Sequence, residues 1–128
     1  MSEASVIQKA LGHKLIGTKF AKNMVGSAVT ILPDEIINFV TKYCWFVSSM
    51  HDGFAFALRG DEIKKEEFLI FLSDELLEEP AWQIRFTIIH EIGHCVLGHR
   101  NSIGEVQSKS EVKKQEFEAD EFAKKYLT

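Results

Sequence analysis

The chain has 128 residues, 45% apolar and 27% charged, with a net charge of −4. That length suits one domain spanning residues 1–128, and near-average usage without a biased tract excludes disordered and collagen-like classes. The acidic balance argues against direct nucleic-acid binding: residues 1–32 hold Lys9, Lys14, Lys19 and Lys22 against Glu3 alone, too sparse for a basic patch, and the remainder is distinctly acidic.

No uncharged apolar run approaches membrane-spanning length, and Met1 to Ser5 has no signal-peptide character, so a cytoplasmic protein without membrane contact is expected. Two cysteines are too few for a disulfide scaffold. Cys95 directly follows His94, but one helical step turns it about 100° away, so it reads as a small buried apolar residue.

In chain order, Val6, Ile7, Ala10, Leu11, Leu15 and Phe20 have loosely helical spacing and predict a helix over 5–21, although Gly12 and Gly17 weaken it. Pro33, Asp34 and Glu35, then Ile36, Ile37, Phe39 and Val40, predict a short helix over about 33–42. Aromatic and β-branched residues from Tyr43 to Ser49, the alternation from Gly53 to Leu58 after a Met50–Gly53 turn, and the apolar run Phe68–Leu72 predict three antiparallel strands. From Pro80 to about Gly98 the pattern is helical and apolar on nearly every side, which places this helix in the interior. A polar loop over 101–110 leads to a last helix from Glu111 to Leu127. The class expected is α+β, with a small antiparallel sheet packed on a buried helix.

That buried helix contains His90-Glu91-Ile92-Gly93-His94. Two histidines four apart project from one helix face, about one turn apart, so both imidazoles can reach one ion. Glu91 falls on the adjacent face, within reach of a water on that ion, as a general base must. Two imidazoles and a carboxylate in an apolar helix need partners once they leave water, and a zinc ion supplies one.

A catalytic zinc site requires a third protein ligand. On the last helix Val112, Glu116, Ala119, Asp120, Ala123 and Leu127 share a face, so two carboxylates stand on a stripe that is otherwise small and apolar. Glu116 is the expected ligand. Asp120, one turn on, is placed to accept the second ring N–H of a ligating histidine. Glu118 falls with Lys114, Gln115, Glu121 and Phe122 on a mostly polar face and is expected to be solvated.

These motifs resemble the gluzincin pattern of H-E-x-x-H followed by E-x-x-x-D. The longer strings Ile84 to His94, Leu97-Gly98-His99 and Glu116 to Ala123 are most similar to the ImmA/IrrE family of zinc metallopeptidases, over about residues 67–127. The resemblance implies a minimal zincin-like α+β fold, cytosolic residence and cleavage of a protein substrate, often a helix-turn-helix repressor. Many relatives continue past the glutamate helix, whereas this sequence stops at Thr128, so any contribution from that segment is expected to be missing or to come from a partner.

A metzincin would take its third ligand from H-E-x-x-H-x-x-G-x-x-H. Here Leu97 replaces the glycine and His99 comes one residue early, which disfavours that class. His99 is then a surface residue near a helix C-terminus or an active-site donor, and His99, Tyr126, Arg100 and His51 are the candidates for stabilising a transition state. The expected activity is zinc-dependent hydrolysis of a protein or peptide, with Glu91 taking a proton from the attacking water. The alternative is a zinc-stabilised, non-catalytic module that binds a transcription regulator or antitoxin. Glu91 speaks against it, since a structural zinc site needs no base.

Overall fold

The computed structural model describes residues 3–48, 67–98 and 109–127. Helix α1 (Glu3–Leu11) buries Ile7 and Leu11, one turn apart. The helix expected over 5–21 ends there, because Gly12 turns the chain with φ at +55°, a region that favours glycine. A short 3₁₀ turn over Gly12–Lys14 then leads into strand β1 (Leu15–Ile16).

Helix α2 (Lys19–Val29) begins where the Thr18 hydroxyl accepts the Ala21 N–H at 3.1 Å, capping an otherwise orphan donor. It buries Ala21, Met24, Val25, Ala28 and Val29, an i, i+3, i+4 stripe for which the sequence reading has no element. Helix α3 (Asp34–Tyr43) lies within a residue of its expected place. Pro33 caps it from outside, its carbonyl accepting the N–H groups of Ile36 and Ile37.

Strand β2 (Cys44–Ser48) follows α3 directly, and strand β3 (Phe68–Leu72) completes a sheet of order β1-β2-β3. Both pairings are parallel, with Leu15 opposite Phe46 and Phe46 opposite Ile70. This corrects the antiparallel expectation. Parallel neighbours need a crossover of a dozen or more residues, which α2 and α3 supply between β1 and β2, and residues 49–67 are long enough to do so between β2 and β3. The expected strand from Gly53 to Leu58 lies outside the described residues. Central β2 is buried throughout, whereas β3 buries Ile70 and Leu72 and turns Leu69 and Phe71 outward.

A single turn, α4 (Asp74–Leu77), is capped by the Ser73 hydroxyl and precedes the two helices that carry the chemistry, α5 (Ala81–Val96) and α6 (Lys109–Tyr126). One hydrophobic core joins Leu11, Val25, Val29, Val40, Phe46, Leu72 and the isoleucines of α5, among others. The class is α+β, mostly helical with a small sheet. Among the described residues no helix is long and apolar enough to cross a membrane.

Candidate metal centre

Helix α5 is held by Ile84, Ile88, Ile89 and Ile92, all fully buried. Burial of each such side chain contributes roughly 1.5–3 kcal/mol, so the rotation of the helix about its axis is firmly set. With that face committed to the core, His90 and His94 emerge along the seam with α6, each side chain only 12% exposed.

There they meet Glu116. His90 Nε2 lies 3.0 Å from Glu116 Oε2, His94 Nε2 lies 3.1 Å from Glu116 Oε1, and the two Nε2 atoms are 3.1 Å apart. Behind His90, its Nδ1 stands 2.7 Å from Asp120 Oδ1. His90, His94 and Glu116 thus form a cluster able to hold a metal ion.

The chemistry of this donor set fits a divalent cation. A carboxylate only accepts, so with Nδ1 2.7 Å from Asp120 a neutral His90 ring carries its proton on Nδ1 and keeps a lone pair on Nε2. That lone pair faces a Glu116 oxygen and the His94 Nε2, so acceptors converge on one point and a positive charge is needed among them. Metal bonds of about 2.0–2.1 Å at a tetrahedral centre place adjacent donor atoms about 3.3 Å apart. The observed separations fall a few tenths of an ångström short of that.

The approach of α6 depends on small residues. Ala119 and Ala123 are fully buried, and a Cβ placed on Gly93 would lie 2.9 Å from Phe122 Cδ1 and 3.2 Å from its Cβ. Gly93, between the two histidines, therefore admits Phe122 against α5. Sequence reasoning missed this role, and the only signal for it was a glycine inside a strongly helical run. It also put Phe122 on a polar face, whereas the ring packs on the core with its centroid 5.1 Å from that of Tyr126. Glu118 is half-buried rather than fully solvated, and Val112, at the start of the expected stripe, is exposed.

Of the residues singled out from sequence, the structure brings His90, His94, Glu116 and Asp120 together. Glu91, next to His90 in the chain, is half-buried on α5. Tyr126 packs on Phe122 and has no bond to the cluster among the described residues. His99, Arg100 and His51 lie outside the described residues. Cys95 is buried beside Cys44, as its rotation away from His94 predicted, and both are free thiols.

The protein family described as Peptidase U49 matches residues 82–128, the stretch that holds both α5 and α6. That match supports a peptidase. No curated protein and no solved structure matches the chain.

Proposed function

We propose that this chain is a zinc-dependent peptidase in which His90, His94 and Glu116 hold the metal, Glu91 is the general base and Asp120 orients His90. The observation that carries the proposal is the convergence of two imidazole Nε2 atoms and one carboxylate within 3.0–3.1 Å of one another, on helices matched by a peptidase family. Zinc suits two imidazoles and one carboxylate, the donor set of a catalytic site. Held there, it would supply Lewis acidity towards the scissile carbonyl and the attacking water.

Everything else falls to the chain. Glu91 follows His90 directly on α5 and is not one of the three clustered ligands. It accepts the proton of the attacking water and returns it to the leaving amine. Asp120 holds the His90 ring in the tautomer that points its lone pair at the cluster. His99 and Tyr126 stand as candidates for donating a hydrogen bond to the developing oxyanion. The resemblance to the ImmA/IrrE family supports a cytoplasmic location and a protein substrate such as a helix-turn-helix repressor.

Glu91→Gln tests the assignment, because it removes the base and no ligand. The variant should bind zinc as the wild type does and lose proteolysis of a protein cleaved by the wild type. If the wild type cuts no protein and Glu91→Gln binds a regulator equally well, the chain is a non-catalytic module instead.

A further inference from the structure

Beyond the cluster, a cleft of about 360 Å³ opens between α5 and α6, lined by Trp82, Arg85, Phe86, Lys124 and Leu127. It adjoins the proposed metal centre through Phe86, whose ring lies near that of His90. Phe86 is one turn before His90 with ring centroids 6.4 Å apart, and Lys124 is one turn beyond Asp120. Its chemistry is apolar surface from Trp82, Phe86 and Leu127, with one cation contributed by each helix.

Those cations run against the charge of the molecule. In a chain of net charge −4, no carboxylate lines this cleft among the described residues. Arg85 has no ion pair among the described residues, and Lys124 has only the exposed contact with Glu121 at 3.6 Å, which is weak enough for an incoming carboxylate to displace.

We propose that this cleft is a recognition groove for an acidic segment of a peptide substrate, seating an apolar side chain on Phe86 and Leu127 and adjacent carboxylates against Arg85 and Lys124. As substrate recognition, the inference rests on the peptidase reading; as acidic-peptide binding, it does not.

The groove carries its own reporter. Trp82 is 63% exposed, whereas the other tryptophan, Trp45, is 3% exposed and emits from the core. Three acetylated decapeptides, with one phenylalanine followed by two glutamates, two glutamines or two lysines, are titrated into full-length zinc-loaded Glu91→Gln protein at low salt. Using this variant separates binding from cleavage, so the groove can fail while the peptidase assignment stands, and the reverse.

The glutamate peptide should shift Trp82 emission to the blue and bind about five- to tenfold tighter than the glutamine peptide, as two partly exposed ion pairs allow. The lysine peptide should bind weakest, and the preference should shrink as salt rises. Reversing both charges (Arg85→Glu with Lys124→Glu) should invert the order, and Trp82→Phe should remove the signal. No emission change, equal affinity for the three peptides, or an order that survives the double reversal overturns the proposal. The comparison of peptides on an unaltered groove decides the matter even if the double variant fails to fold.

Discussion

His90 Nδ1 stands 2.7 Å from Asp120 Oδ1, so a carboxylate on α6 decides which nitrogen of a histidine on α5 is left to face Glu116. In the proposed site the two acids of α6 thereby have different duties although they lie one turn apart. Glu116 contributes an anionic donor to the cluster, while Asp120 acts only through the ring it holds.

Glu116→Gln should therefore weaken zinc binding more than about 100-fold, because it leaves two neutral imidazoles to hold a dication. Asp120→Asn should lose about 10–100-fold, since His90 keeps its Nε2 but loses its orientation. Competition with a chromogenic chelator measures both. Equal losses would contradict the division of duties. Chelation should also lower the melting temperature of the wild type, because the ligands join two helices across the seam.

Gly93→Ala is expected to lower both stability and zinc affinity. The added methyl would sit 2.9 Å from Phe122 Cδ1 and 3.2 Å from its Cβ, so α6 as well as the ring has to move. Overpacking of this kind costs about 1–3 kcal/mol. Phe122→Leu in the same chain should restore part of the zinc affinity. If Gly93→Ala binds zinc as the wild type does, the close approach at Gly93 does not set the position of Glu116.

Lys14 gives a dependence on pH. Lys14 is buried, its ammonium donates to the Thr41 carbonyl, and partial loss of hydration holds its pKa below 10.5 despite the opposing influence of Glu67. Between the lowered folded value and 10.5 the unfolded chain binds more of this proton, so the stability contributed by Lys14 rises with pH through that window. Urea unfolding at rising pH up to 10.5 should show the rise in the wild type and not in Lys14→Met. The difference between the two chains isolates this group from other titrations. A difference that stays flat across the window would contradict it.

Cys44 and Cys95 should resist alkylation in the native protein and react fully once it is unfolded in guanidinium. Both are buried, and the hydrogen bond with Cys95, reinforced by burial, pushes the Cys44 thiol well up from its ordinary value. The thiolate is the reactive form, so burial protects both cysteines and protonation adds to it at Cys44. Native-state labelling with iodoacetamide, read by mass spectrometry, would contradict this packing if either cysteine reacted at the rate of a free thiol.

The pairing of the two histidines was legible in the amino-acid sequence because an α-helix fixes the direction of residues four apart whatever surrounds it. The same periodicity put Glu116 and Asp120 on one face of α6. It did not decide how α6 rotates against α5, and Phe122 and Glu118 were misjudged there because their burial depends on the space left by Gly93 and on neighbours distant in the chain. Strand direction was equally out of reach. The apolar runs Cys44–Ser48 and Phe68–Leu72 serve a parallel or an antiparallel sheet alike, and Leu15–Ile16 is too short to carry a pattern, so only the tertiary structure set the order β1-β2-β3 and its parallel pairing. The groove of Trp82, Arg85, Phe86, Lys124 and Leu127 belongs wholly to the tertiary structure, since it exists only where the two consecutive helices α5 and α6 are packed side by side.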